Sequence, residues 1–283
     1  MDSTNVRDAQ AVTDAAVVNT FRQVGRTDKY YNLIAYIVSN TIAGEYIATD
    51  NYSEEVHLFP DLETKTYLLH QAEEEARHAK TLVALGKRLG VPVVDRPVEP
   101  QWLAVRKAFA TAVAKKDVVA CVIIQDVMIE TMAVVLYRTL SGLEEADTDP
   151  ETRRVAAAIL KDELEHLDWG RNWIRERLKR DEAAVNASLA WAHDEVMPQL
   201  FGLIRNGCDF LCGEMGVECG TFGVEEIKTD LDTLRLTALD HYIESLDRSG
   251  FQPKVTSPLI AKMSSYEGMP SALTGVKANG PAV

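Results

Sequence analysis

An all-α fold arranged as an antiparallel helical bundle is predicted by three observations. Between Thr27 and Phe251 proline and glycine are sparse, apolar residues recur at three- and four-residue intervals, and no useful stretch shows the two-residue alternation of a strand. The pattern predicts helices over 28–52, 61–89, 101–114, 118–140, 150–179, 182–210 and 225–248. Gly90, Pro92, Pro97 and Pro100 break the chain after the second, and Asp147, Thr148, Asp149 and Pro150 supply capping chemistry before the fifth. Helices of about 25 residues joined by short links pack as antiparallel neighbours. The reading divides the chain into an N-terminal arm (1–27), with a short extra helix in its first 20 or so residues, a helical domain (28–251) and a tail (252–283). The tail is rich in Pro, Ser, Gly and Lys and is expected to be extended or disordered, free to wrap a partner.

Composition narrows the function classes. With 46% hydrophobic and 26% charged residues, the 283-residue chain can bury one large core. A net charge of -13 with no compensating basic stripe argues against nucleic acid. Apolar runs such as Ala120 to Ile124 fall short of the ~20 residues of a membrane span, and Met1 to Gln10 lacks the basic and apolar regions of a secretory signal. The expectation is a cytoplasmic protein without a membrane span, in which assembly into a homo-oligomer is left open. Cys121, Cys208, Cys212 and Cys219 lack the paired spacing of a zinc site and are read as thiols.

The chemistry is concentrated in one repeated pattern. Glu75-Ala76-Arg77-His78 and Glu163-Leu164-Glu165-His166 each put a carboxylate and an imidazole on one helix face. Either pair alone is commonplace on a solvated helix. Each, however, is preceded one helix earlier by a lone glutamate in an apolar stretch: Glu45 before the first pair, by 30 residues, and Glu130 before the second, by 33. A charge inside an apolar face costs several kcal/mol unless compensated, and two metal ions compensate it. The order Glu, Glu-x-x-His, Glu, Glu-x-x-His is the two-metal carboxylate pattern of a ferritin-like four-helix bundle core, with the later helices as covers. Glu45, Glu75, His78, Glu130, Glu163 and His166 are the candidate ligands, with Glu130 expected to bridge. Four carboxylates and two imidazoles suit iron or manganese; dioxygen chemistry favours two irons. Glu74 and Asp162 directly precede the pair glutamates and are placed to accept hydrogen bonds from the imidazoles. His57, His70, His193 and His241 fall outside the pattern and are read as structural or exposed.

With these residues in view, the chain resembles the cyanobacterial aldehyde-deformylating oxygenases, ferritin-like di-iron proteins that convert fatty aldehydes to alkanes. The resemblance spans about 27–251. It includes Asp50-Asn51-Tyr52, Arg77-His78 with Gly86-Lys87-Arg88-Leu89-Gly90-Val91, Ile123-Ile124-Gln125, Lys161-Asp162-Glu163 and Tyr242-Ile243-Glu244-Ser245-Leu246. It implies that the six candidates take the family's metal-binding places and that Tyr52 and Tyr137 match its tyrosines near the metals.

Departures from the family bear on substrate. Four residues before a ligand glutamate lies the same helix face, and there the chain carries Thr41, Gln71 and Asp126 where the family is apolar. Read as cavity-lining residues, they predict an N-oxygenase-type reaction on a small polar, nitrogenous substrate, an amine or hydrazine. Aldehyde deformylation to alkane and formate, and iron handling by ferroxidase chemistry, are the alternatives. Dioxygen is the co-substrate in the oxygenase readings. No nucleotide-binding fingerprint or iron–sulfur array is visible, so the electrons are expected from an external reductase or ferredoxin.

Overall fold

The computed structural model describes residues 25–143, 146–217 and 224–266. Among the described residues there are eight helices: α1 (Asp28–Glu55), α2 (Leu62–Leu89), α3 (Pro100–Lys115), α4 (Val118–Ser141), α5 (Pro150–Leu178), α6 (Glu182–Met215), α7 (Leu231–Arg248) and α8 (Pro253–Met263). Short 3-10 turns lie at Val56–Leu58 and Val224–Ile227, and no strand occurs among the described residues.

Local chemistry sets the boundaries. Thr27, Asp61, Asp117, Asp149, Asp181 and Asp230 each accept a backbone N–H of the first turn that follows, satisfying donors that the helix itself cannot. Gly90 ends α2 in the left-handed conformation, which only glycine adopts without strain. Asp149 does more than cap. Its Oδ2 accepts the Tyr30 hydroxyl at 2.8 Å, and its N–H donates to the same hydroxyl, tying the start of α5 to the start of α1.

The hairpin α1–α2 and the hairpin α4–α5 pack together as the four-helix core, while α3, α6, α7 and α8 cover it. One buried cluster joins α1, α3, α4 and α6 to the covering helices; a second fills the opposite end, around Tyr30, Ile34, Leu82 and Leu160.

Three expectations are corrected. Residues 253–263 of the tail are helical, because Leu259 and Met263 find a buried seat against the body; 267–283 lie outside the described residues, as does the short helix expected near the N-terminus. By length and composition Val118–Ser141 is apolar enough to cross a membrane, contrary to the reading of its sequence in short runs, yet 83% of its apolar window is buried inside the bundle. The same helix is not regular: Ile123–Ile129 forms a π-helical segment, in which each turn holds one extra residue. Cys121 and Cys212 are buried thiols, while Cys219 and the side chain of Cys208 lie outside the description.

Candidate metal centre

The four core helices bring all six candidate ligands together in the buried interior, none more than 4% exposed. Their donor atoms fall into two groups, each within 4.8 Å: Glu45, Glu75, His78 and Glu163 in one, Glu75, Glu130, Glu163 and His166 in the other. Glu75 and Glu163 belong to both. Glu130 belongs to one, which corrects its expected bridging place: the shared positions fall to the glutamates of the Glu-x-x-His pairs.

The donors fit a pair of cations. His78 Nδ1 lies 3.1 Å from Glu163 Oε1 and 3.4 Å from Glu45 Oε2, and His166 Nδ1 lies 3.0 Å from Glu75 Oε1. Both Nδ1 atoms, together with Glu45 Oε2, Glu75 Oε1 and Glu163 Oε1, are buried without a hydrogen-bond partner, an arrangement that is costly unless something else binds them. Burial and neighbouring carboxylates push Glu45 and Glu130 well above the usual carboxylate range. Burial also works against ionised Glu163, but its contacts with His166 and His78 win and hold it below that range. Four crowded carboxylates resist ionising together; two divalent ions would balance them.

The imidazoles are oriented from outside. His78 Nε2 lies 3.1 Å from Asp162 Oδ2, and His166 Nε2 lies 2.9 Å from Glu74 Oε2, so each ring donates outward and turns the Nδ1 lone pair inward. Arg77 spans the two acids, donating to Asp162 at 3.0 Å and to Glu74 at 3.4 Å. Tyr137 donates to Glu45 Oε1, and Tyr52 donates to Glu130 Oε1 at 2.9 Å.

A cavity of about 180 Å³ opens onto Glu45, Glu75, Glu130 and Glu163. Its walls come from α1 and α4, then from Leu200 and Leu203 of α6, the Val224–Ile227 turn, and Leu234 and Ala238 of α7. Thr41 lines it, but its hydroxyl donates to Ile37 O at 2.7 Å; Thr139 is tied likewise to Val135 O at 2.9 Å. Both therefore show the cavity a hydroxyl already spent on the backbone.

Gln71 and Asp126 are fully buried but are not part of that lining, which corrects their expected place. Direction along the helix is one reason. The cavity runs mainly beside α1 residues that precede Glu45 and α4 residues that follow Glu130, so four residues back leads into the cavity on α1 and away from it on α4. The π segment is the other. The Glu130 N–H bonds to Gln125 O, five residues back, and Gln125 takes the place under Glu130 that a regular helix would give to Asp126. Its amide Nε2 donates to Glu130 Oε1 at 2.8 Å, and its Oε1 accepts from Asn51 at 2.7 Å. Asp126 faces Tyr52 and the bare backbone of Gly170 instead. Sequence reasoning missed Gln125 and Asn51; the signal was a polar side chain inside the Ile123-Ile124 run, at a spacing that only a π turn puts under Glu130.

Comparison with known proteins agrees with this architecture. A family model for long-chain fatty aldehyde decarbonylase matches residues 27–205. Among solved structures, a protein with aldehyde deformylating oxidase activity from Synechococcus superposes with a TM-score of 0.66 at 21% identity, covering 83% of this chain and 98% of its own. A mutant R2-like ligand-binding oxidase with an aerobically reconstituted Mn/Fe cofactor superposes with a TM-score of 0.62 at 16% identity, covering 79% and 83%.

Proposed function

The chain belongs to the long-chain fatty aldehyde decarbonylase family, and from that premise we propose that it is a di-iron oxygenase converting a long-chain aldehyde to alkane and formate. One observation carries the reading: the carboxylate cluster opens onto a cavity whose walls are apolar and whose threonine hydroxyls are already bonded to the backbone. Such a wall favours an alkyl chain through burial of its methylenes, at about 0.8 kcal/mol each, and offers a cationic amine no compensating charge beyond the metal-binding carboxylates themselves.

Glu75 and Glu163 would be shared between two ions, with Glu45 and His78 completing one position and Glu130 and His166 the other. Iron, or a manganese–iron pair, bound there would supply the reductive activation of dioxygen. The protein's part is to hold and to exclude. Asp162 and Glu74 fix the imidazole tautomers, Tyr137 and Tyr52 hold one oxygen each of Glu45 and Glu130, and Gln125 holds Glu130 from below. The apolar walls keep bulk water from the aldehyde carbon while placing it at the carboxylate end of the cavity. Electrons come from an external reductase or ferredoxin.

The test is to load the purified chain with ferrous iron, supply a reducing system and dioxygen, and offer isotopically labelled aldehydes alongside amines and hydrazines. Alkane and labelled formate in equal amounts are expected. An oxidised amine or hydrazine with no alkane would return the reading to a nitrogenous substrate.

A further inference from the structure

Positive charge is concentrated at the C-terminal end of α5. Residues 171–180 hold five of the chain's 30 Lys and Arg (Arg171, Arg175, Arg177, Lys179 and Arg180) against one acid, Glu176, in a chain of net charge -13. Cations suit a helix C-terminus, where the macrodipole is negative, but two of these are left uncommitted. Arg171 is buried against Ser245, Arg175 donates to Asn172 and to the Arg248 carbonyl, and Lys179 holds Glu176 at 2.5 Å. Arg177 and Arg180 form no ion pair among the described residues, and Arg180 is exposed.

Beneath Arg177 an aromatic path leads inward. The Arg177 guanidinium lies back along the helix over Trp173, its carbon 5.2 Å from the ring centroid, and Trp173 is half-buried. Phe59 packs between the two tryptophans of α5, with its ring centroid 5.7 Å from Trp173 and 6.4 Å from Trp169, and Trp169 packs on Tyr67 at 5.2 Å. His166, Trp169 and Trp173 follow at three- and four-residue intervals and so share one face of α5. Two helical turns, about 10 Å along the axis, therefore separate Trp173 from the candidate ligand His166. A second exposed approach to the imidazoles, around Arg77, is different in sign: Glu73, Glu74, Asp162 and Glu165 outnumber Arg77 and Lys161 there.

We propose that this surface, with Trp173 at its centre and Arg177 and Arg180 at its rim, is where an acidic one-electron carrier of the ferredoxin type docks and passes electrons inward. Charge complementarity selects the occupant. An acidic carrier is repelled by the net negative charge of the chain as a whole and is steered to its basic end, where an aromatic side chain under the rim cations gives the contact an apolar centre. Each passage oxidises the carrier by one electron and reduces one bound iron from ferric to ferrous. The rings are the packed medium between the two and are themselves unchanged, with no bond made or broken. The proposal rests on the oxygenase reading, which needs an external electron source, and adds where that source binds.

The experiment has two arms, and its probe is an acidic [2Fe–2S] ferredoxin. In the first, the oxidised ferredoxin is titrated calorimetrically into manganese(II)-loaded protein, so that binding is read without turnover. Binding should weaken as salt is added and be about 10-fold weaker in Arg177→Glu/Arg180→Glu than in native protein. The control Lys87→Glu/Lys107→Glu makes the same change in net charge at two other exposed lysines and should bind like native protein. In the second arm, iron(II)-loaded protein is oxidised by dioxygen, and reduction of the ferric product by reduced ferredoxin is followed by stopped flow. It should slow about 10-fold in Arg177→Glu/Arg180→Glu through weaker docking, and about as much in Trp173→Leu with affinity retained, while reduction by dithionite stays the same in all. Equal affinity in the charge variant and its control overturns the docking surface, and unchanged reduction by ferredoxin in Trp173→Leu overturns the path. Self-association of the chain lost in Arg177→Glu/Arg180→Glu, with ferredoxin unbound, would make this face a contact between copies and also overturn the proposal. If iron(II) protein ignores dioxygen, the oxygenase reading fails and the electron entry falls with it. If it oxidises iron but never turns over an aldehyde, only the substrate assignment is lost and the two arms still decide.

Discussion

Gln125 donates to Glu130 Oε1 across one turn of π-helix, at 2.8 Å, and the same oxygen accepts the Tyr52 hydroxyl. One carboxylate oxygen is thus pinned from two sides, and the π turn is what brings the amide under it. Gln125→Ala leaves the Asn51 amide without its acceptor in a place sealed from solvent, which should cost about 1–3 kcal/mol. Urea unfolding of the metal-free protein checks this. An unchanged midpoint would mean that the π segment is held by packing alone.

Because Glu75 and Glu163 sit in both donor groups and Glu130 in one, their removal should have different consequences. Glu163→Ala is expected to abolish retention of both ions, while Glu130→Ala should keep one ion more tightly than the other. Metal content after gel filtration, read by mass spectrometry, separates these cases. Equal loss in the two variants would contradict the assignment of the shared positions.

Ala238 lies on the cavity wall contributed by α7. Ala238→Phe should fill part of the cavity and lower turnover of the longest accepted aldehyde by about 10-fold, with shorter chains spared, in line with 1–3 kcal/mol per methylene of misfit. A uniform loss across chain lengths would place the substrate elsewhere.

Gly170 on α5 is the point at which the π segment approaches most closely. A Cβ added there would stand 2.2 Å from Asp126 Cβ and 3.0 Å from its backbone oxygen. Gly170→Ala must therefore displace main chain, and a loss of at least about 1–3 kcal/mol is expected against the small gain that alanine ordinarily brings to a helix. Thermal unfolding of this variant, with Gly213→Ala as a control where the added atom meets nothing within 4 Å, gives the comparison.

His193 of α6 is fully buried, its Nδ1 3.0 Å from the Tyr242 hydroxyl, with Asp194, Lys262 and Tyr266 around it. Burial pulls its pKa down to about 4. The unfolded chain therefore takes up a proton first as pH falls, so stability from the neutral ring is complete above about 6.5 and is lost progressively toward 4, by about 3 kcal/mol in all. His193→Phe should flatten that part of the stability–pH curve. A variant with the same slope as native protein would assign the acid sensitivity to other groups.

The gathering of the six candidate ligands was legible because its signal is redundant: each Glu-x-x-His pair was matched by a lone acid one hairpin earlier, inside an apolar face. Glu74 and Asp162 were legible for a related reason, since a residue beside a ligand on the same helix can reach across to the other hairpin's imidazole. The cavity was not. A rule about helix faces says which side a residue shares with a ligand but not which way along an antiparallel bundle the open space runs, so it found Thr41 and misplaced Gln71 and Asp126. The extra residue in the π segment leaves no mark in hydrophobic periodicity when every position of 119–130 is buried. The helix at 253–263 was lost in a composition rich in breakers, because Pro253 and Pro258 read as interruptions although the first merely opens the helix.

Part of the cavity wall is encoded in a different stretch of chain from the cluster at the cavity's end. The acids and imidazoles belong to α1, α2, α4 and α5, whereas Leu200, Leu203, Val224, Ile227, Leu234 and Ala238 come from the covering segments beyond residue 182. Substitutions in those later segments can lengthen, shorten or bend the cavity without touching any of the six candidate ligands. Selection on what the enzyme accepts is in that sense uncoupled from selection on what it does, and a new chain-length preference needs no renegotiation of the redox centre.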